Sequence, residues 1–317
     1  ISLSAEMART WYQLVSIHLQ RKLLIEQRET NRKVLELISA QFRAGQAGIA
    51  DVLQQRQLIE GNSSDIEALY SDMQLLEHQL AILLGVAPGM AELPSPDQLP
   101  ALPPLPDTGI PLDLIAKRPD IQSDLLRLQA ADYRVASAVA DRFPKLSISA
   151  SISDSSNSTS DLFNNWFSSL GANLFGPIFD GGQRKAEVSR TEAVASQYFY
   201  GYGQTILEAI AEVENGLVRE KKQLAIIASL EVRQKLAAET IVHVGNRYRQ
   251  GAEDYQRVLL ALISHQDIQR AIVIGTGQLI DFRIALYRSL SGTLPESQPV
   301  QQQTTPSSNT TNKGMIQ

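Results

Sequence analysis

Residues 180–185 read Asp-Gly-Gly-Gln-Arg-Lys, a carboxylate, two glycines and two cations within six positions. They follow an apolar alternating run and precede a helical pattern. A Gly-rich turn between strand and helix, flanked by cations, could cradle a phosphate. The order G-x-x-x-x-G-K-[ST] that wraps phosphates is missing, however. The stronger reading is a corner, with Gly181 and Gly182 turning the chain sharply from strand into helix. Other chemistry is sparse. His18, His78, His243 and His265 are scattered over expected helices, and no two stand four apart as zinc-binding helical pairs do. No G-x-S-x-G elbow occurs. With no cysteine, disulfide and thiol chemistry are excluded. The sequence thus predicts no catalytic constellation, no metal set, no cofactor and no enzyme.

A polar stripe is more informative. In KLSISASIS (145–153), Leu146, Ile148, Ala150 and Ile152 alternate with Ser147, Ser149, Ser151 and Ser153. A second alternating run covers 166–179, with Trp166, Leu170, Ala172, Leu174 and Ile178 on one face and Ser169, Gly171 and Asn173 on the other. A period of two predicts strands. The two runs, joined by the polar stretch DSSNSTSDLFNN, predict one β-hairpin. In a membrane barrel one such face lines water and the other meets lipid, and both runs suit the ~9–11 residues that cross a bilayer. A lone hairpin is not stable in water. It must join strands from other chains, from sequence before Ile1, or from both.

Proline placement defines the elements that position this hairpin. None precedes Pro88, seven more follow by Pro111, then Pro119, Pro144 and Pro177 stand alone, and none lies from 178 to 294. The two proline-free stretches can hold very long helices. Gly45 and Gly48 split the first into helices at roughly 2–43 and 50–84. The second of these carries Val52, Ile59, Ile66, Met73 and Leu80 at seven-residue spacing, with Leu69, Leu76 and Leu83 beside them, which is coiled-coil packing. Gly85 is placed to cap it. Residues 88–112 form a Pro-rich connector. A helix runs from Pro119 to about Arg142 on a face of Ile121, Leu125, Leu128 and Val135. Another spans 186–249, with Gly201, Gly203 and Gly216 as kinks rather than ends. A last helix reaches about Leu290, and the tail 293–317 reads as disordered.

Composition sets outer bounds. The 317 residues are 43% hydrophobic and 20% charged, with a net charge of −5. No basic excess points to nucleic acid. No run of 18 apolar residues predicts a transmembrane helix, which leaves β-barrel strands open. The chain starts in mid-pattern at Ile1, as a fragment of a longer protein would.

An internal repeat links the helical stretches. QFRAGQAGIADVL (41–53) matches RYRQGAEDYQRVL (247–259) at a constant offset of 206, with Phe42/Tyr248, Arg43/Arg249, Gly45/Gly251, Val52/Val258 and Leu53/Leu259 in register. Each copy joins two long helices.

With these segments in place, the sequence resembles the TolC family of outer-membrane efflux channels, in the branch serving resistance–nodulation–division pumps. IPLDLIAKRPDIQSDLLRLQAADYRVASAVADRFPKLSISAS resembles the segment opening the family's second half, with its Arg118-Pro119-Asp120 and Phe143-Pro144 anchors. LFGPIFDGGQRKAEV resembles the strand-to-helix junction, from Pro177 through Asp180, Gly181 and Gly182. The paired turns resemble the two helical hairpin tips. The resemblance covers about residues 1–292.

The resemblance implies a mainly α fold with one β-hairpin. Long antiparallel helices of a homotrimer would form an α-barrel across the periplasm, and the hairpins would join a shared transmembrane β-barrel in the outer membrane. The implied divisions are 1–87, first-repeat helical hairpin; 88–112, equatorial connector; 113–143, second-repeat helix; 144–180, transmembrane hairpin; 181–292, long helix and second helical hairpin; and 293–317, tail. The first strand pair would precede Ile1. Function would be passive conduction of small molecules from an inner-membrane efflux pump and a periplasmic adaptor (membrane fusion) protein. A type I protein-secretion channel and a soluble coiled-coil scaffold are the alternatives.

Site residues follow from the same resemblance. Asp51 matches an acidic position of the periplasmic gate, where carboxylate rings favour cations and hold a pore shut through ion pairs. Arg257 stands at an acidic position of the second repeat and is expected to pair with Asp51 across neighbouring helices. Ala44, Gly45, Gln46, Gln250, Gly251 and Ala252 match adaptor-docking tips. Ser147, Ser149, Ser151 and Asn173 would face the lumen, and Leu146, Ile148, Leu170 and Leu174 the lipid of the outer membrane. Arg184 and Lys185 would sit just below the bilayer.

Overall fold

The computed structural model describes residues 2–90, 98–103, 116–154 and 166–290. Most of the Pro-rich connector, the hairpin loop 155–165 and the tail 293–317 lie outside the described residues.

Among the described residues five helices and two strands follow in order: α1 (Ser2–Arg43), α2 (Ile49–Leu83), α3 (Pro119–Ala140), β1 (Lys145–Asp154), β2 (Trp166–Phe175), α4 (Gln183–Arg249) and α5 (Tyr255–Leu290). Helices α1 and α2 form one antiparallel hairpin and α4 and α5 another. Neighbours pack in the row α2, α1, α5, α4, α3. This is a wall one helix thick rather than a bundle around a central core.

The long helix α4 continues through Gly201, Gly203 and Gly216 for 67 residues, or ~100 Å at ~1.5 Å per residue. It separates the β-hairpin from the α4–α5 turn by that distance. It starts three residues before the expected 186, because Asp180 caps it (below). Gly216 has a packing reason, since a Cβ there would stand 3.1 Å from Leu286 Cδ1.

The heptad seam of α2 is in place for Val52, Ile59, Ile66 and Leu80, all buried, while Met73, Leu69, Leu76 and Leu83 are half-buried. Gly85 ends α2 at φ 76°. Val86 N–H donates to Ala81 and Gly85 N–H to Ile82, the Schellman pattern. Helix α3 stops at Ala140, two residues short of expectation. Its face is Ile121, Ala131 and Ala138 buried, with Leu125, Leu128 and Val135 half-buried. The pre-proline residue Phe143 disfavours helix.

Two expectations need correction. Strand β2 ends at Phe175, so Ile178 is not part of the sheet face. Gly176 lies against Pro144, where a Cβ would meet Pro144 Cγ at 2.9 Å, and Pro177 has no N–H to continue a ladder. Helix α5, moreover, is long and apolar enough to cross a membrane by length and composition. No unbroken run of 18 apolar residues marks it in the sequence, because polar residues such as Gln266 and Arg270 interrupt the pattern. In the fold α5 packs between α1 and α4 and directs Gln266 and Arg283 at partners there.

Candidate functional site

The two repeat turns close alike, hydrogen bond by hydrogen bond. In the first, Gln46 N–H donates to Gln41 at 2.8 Å and Gly45 N–H to Phe42 at 3.0 Å. In the second, Ala252 N–H donates to Arg247 at 2.9 Å and Gly251 N–H to Tyr248 at 2.9 Å. Each acceptor and donor is displaced by the same 206 positions. Both are Schellman closures with glycine in the left-handed region, Gly45 at φ 71° and Gly251 at φ 74°. Ala44, Gly45, Gln46, Gln250, Gly251 and Ala252 are all exposed. The turns lie at one end of the molecule. Ile38, Val52, Tyr255 and Leu259 form a shared buried cluster beneath them, with Ala47 and Tyr248 packed against it.

The helices leaving the turns are both capped by carboxylates, from different positions. Asp51, at the third residue of α2, accepts the Gly48 N–H at 2.9 Å. Asp254 precedes α5 and accepts the Arg257 N–H at 3.0 Å. Gly48 and Asp254 are repeat equivalents, as are Asp51 and Arg257. A carboxylate therefore satisfies an exposed helix-start N–H in each repeat, although it has changed place. Within the chain Asp51 and Arg257 do not pair. Arg257 Nε lies 3.3 Å from Glu253, which also holds Arg247 Nε at 3.1 Å. That ion pair occupies the Arg257 side chain that was expected to face Asp51.

Beneath the tip lies a buried polar knot absent from the sequence-based site. Asn31 and Gln266 exchange amide hydrogen bonds at 3.2 and 2.9 Å. Gln55 donates to the Asn31 carbonyl at 2.8 Å and accepts from Tyr255 Oη at 2.6 Å. Gln27 donates to the Gln266 carbonyl at 3.1 Å and accepts from Arg270 at 2.8 Å. Burial raises the Tyr255 phenol above its ordinary value, so it stays a donor. One signal was available: Gln55 and Asn62 fall between Val52, Ile59 and Ile66 in the α2 heptads, so seam periodicity alone places them inside.

The Arg118-Pro119-Asp120 segment is a joint between helices. Arg118 grips Asp120 through Nε at 3.1 Å and Nη2 at 2.8 Å, and its Nη1 reaches Glu212 of α4 at 2.8 Å and the Ser289 carbonyl of α5 at 3.1 Å. Its hydrogen bonds with Arg118 hold the Asp120 carboxyl below the usual range. A second joint lies deeper. Arg283 is ion-paired with Glu220, both almost fully buried, and donates to the Pro103 carbonyl at 2.7 Å. Leu99 and Leu102 pack on Ala5, Ile280 and Ile284 beside it. The described part of the connector is thus seated on α1 and α5.

At the strand-to-helix junction Asp180 accepts the Gly182 N–H at 3.0 Å and the Arg184 N–H at 3.3 Å. Gly181 and Gly182 have φ 61° and 86°. The N–H groups a phosphate would need are already held by a carboxylate of the same chain, so the corner reading stands. Arg184 also lies 3.7 Å from Asp180.

From Leu146 to Ser151 the hairpin register pairs like with like. Leu146 opposes Leu174, Ile148 opposes Ala172 and Ala150 opposes Leu170. Ser147 opposes Asn173, Ser149 opposes Gly171 and Ser151 opposes Ser169. Directly opposed residues share a face, so over these pairs the sheet has one apolar and one polar side, while nearer its ends Ile152 opposes Ser168, Ser153 opposes Phe167 and Lys145 opposes Phe175. Ser151 and Ser169 join through their hydroxyls at 2.9 Å. Leu146, Ile148, Ile152, Leu170 and Leu174 are all highly exposed in the single chain. Trp166 and Phe167 mark one end and Phe143, Phe175 and Phe179 the other. Ten residues at ~3.4 Å, tilted by ~40°, match the ~25 Å apolar band of an outer-membrane barrel; Trp166 lies on the apolar face, whereas Phe167 and Phe175 share the serine face.

Comparison with known proteins agrees with this geometry. Residues 110–292, more than half of the chain, match the family model described as outer membrane efflux protein. The pyoverdine export outer membrane protein OpmQ of Pseudomonas aeruginosa is 29% identical over 304 residues, covering 92% of this chain and 62% of that protein. The outer membrane protein OprJ of the same species is 30% identical over 306 residues, with the same two coverages. The solved outer-membrane channel OprN superposes with a TM-score of 0.84 at 26% identity, covering 92% of this chain and 66% of that one. The chain spans less than two thirds of the length of these two relatives. It belongs to the outer membrane efflux protein family.

Proposed function

We propose that this chain supplies the helical wall and one pore hairpin of a passive outer-membrane efflux conduit, built as a homotrimer. The observation that carries this reading is the hairpin, whose register separates an apolar from a serine-rich face and which sits ~100 Å from the helical tip. The conduit performs no covalent chemistry. Residues 1–87 and 181–292 form its periplasmic barrel, 88–112 its belt, 113–143 the helix leading to the membrane, and 144–180 the membrane hairpin in outer-membrane lipid. The exposed turns at Gly45 and Gly251 receive the periplasmic adaptor, and an inner-membrane pump delivers small molecules. Asp51 contributes a ring of carboxylates to the gate, with Arg257 on the neighbouring hairpin. The export and outer-membrane names of the relatives support this reading.

The chain has no cysteine, which permits a direct test in the full-length protein. Single cysteines at 146–153 in outer membranes are exposed to a membrane-impermeant maleimide. Labelling at 147, 149 and 151 with protection at 146, 148 and 150 is expected. Uniform labelling along the strand would reject the membrane hairpin.

A further inference from the structure

A cavity of about 280 Å³ lies where α1, α4 and α5 meet, and Arg9, Arg219 and Arg288 all line it. Each is exposed, and none has an ion pair or hydrogen bond with another described residue. Two carboxylates share the cavity. Glu6 is engaged by Gln79 Nε2 at 3.4 Å, and Asp281 accepts from Gln13 at 3.1 Å while its other oxygen is buried. Three guanidinium groups against two carboxylates leave the cavity net positive. Elsewhere in the wall the arginines at helix joints are consumed, Arg118 by Asp120 and Glu212 and Arg283 by Glu220. The three in the cavity are not.

Its direction follows from helix geometry. On α5, Ile280 and Ile284 pack against Leu99 and Leu102 of the connector, and Arg283 holds the Pro103 carbonyl. Around α5 at ~100° per residue, Arg288 lies about 40°, Asp281 about 60°, Ala285 about 100° and Gln278 about 120° from Ile284, all turned away from Arg283, so the cavity borders the connector contact at Ala5 and Ile284 and opens away from it. A second layer on the inner side of a tube wall would fill the bore, so the connector side is the outside and the cavity faces inward. That step rests on the conduit reading above. Guanidinium forks match carboxylate and phosphate oxygens in two-point hydrogen bonds. We propose that Arg9, Arg219 and Arg288 form an anion-binding station on the inner wall, one per protomer at the level of the connector, which takes small multivalent oxyanions in transit.

Citrate is the probe, on the detergent-solubilised full-length protein. Calorimetry at neutral pH reads binding without requiring conduction, and citrate block of bilayer currents reads its location. The expected result is citrate binding that weakens about tenfold or more in Arg219→Gln/Arg288→Gln, the loss of at least one charge-assisted hydrogen bond, with recovery in Arg219→Lys/Arg288→Lys. Block should weaken in parallel. No binding to the parent protein, or equal binding to the Gln variant of unchanged thermal stability, overturns the station. Binding that depends on the arginines in a protein that conducts nothing would leave the site standing and remove the conduit reading and the inward placement.

Discussion

Tyr255 donates its phenolic hydrogen to Gln55 Oε1 at 2.6 Å and so ties the first turn of α5 to the first turns of α2, 200 positions apart. Gln55 passes the link to the Asn31 carbonyl of α1. The two helical hairpins are therefore locked by polar contacts just below their turns, where Gln55 is fully buried. Tyr255→Phe keeps the ring and removes the donor. A buried acceptor left unsatisfied costs ~1–3 kcal/mol. Hydrogen exchange should quicken at the starts of α2 and α5, with little change at the β-hairpin ~100 Å away. Unchanged protection at both helix starts would show that the link carries no weight.

The capping exchange between repeats predicts an asymmetry. Asp51→Asn retains an acceptor for Gly48 N–H, whereas Asp51→Ala removes it and should destabilise the first turn of α2 by ~0.5–2 kcal/mol. Thermal melts of the full-length protein separate these effects. If channel opening changes equally in both variants, the charge of Asp51 matters to the gate; if only Ala has an effect, the cap does.

The Arg118 joint sets a pH dependence. Arg118 depresses the Asp120 carboxyl, so the stabilisation it gives is complete above the ordinary carboxylate range and fades as pH falls through the lowered value. Comparing the melting temperature of the parent with that of Asp120→Asn, the gap should be present at neutral pH and close below about pH 4. A gap that persists into strong acid would contradict the ion-pair account.

The Arg283–Glu220 pair is almost fully buried and also holds Pro103. Glu220→Ala leaves a buried guanidinium unpaired, a loss of ~3–5 kcal/mol. Limited proteolysis should then cut the connector sooner than in the parent. Equal cleavage rates would show that the connector is seated by Leu99 and Leu102 alone.

Much of this was legible in the sequence for physical reasons. Alternation in KLSISASIS and the 206-residue offset between turns depend on local periodicity, and the register and turn hydrogen bonds follow them. The partner of Arg257 was local: Glu253 stands four residues earlier at i,i+4 spacing, whereas the expected partner Asp51 lies 206 positions away, and the nearer carboxylate took the guanidinium. The buried knot was half-visible. The α2 heptads place Gln55 in the seam, but its contacts with Asn31 and Tyr255 need the packing of three helices. Phe175 ends β2 because Gly176 meets Pro144, a contact across the hairpin base that no strand propensity encodes.

The faces of the hairpin have unequal tolerance. Leu174→Arg places a cation on the apolar face and, with the hairpin in a membrane as proposed, should impair assembly by ~2–4 kcal/mol near the midplane. Asn173→Arg, one residue earlier on the serine side, should assemble and change ion selectivity. Equal assembly defects would contradict the two faces that the register defines.

The central claim is tested most directly by planar-bilayer recording of the full-length protein purified from outer membranes. The account predicts a trimer with discrete conductance steps whose open probability rises in Asp51→Ala. A soluble protein, or a membrane-inserted one with no conductance in either form, would contradict it.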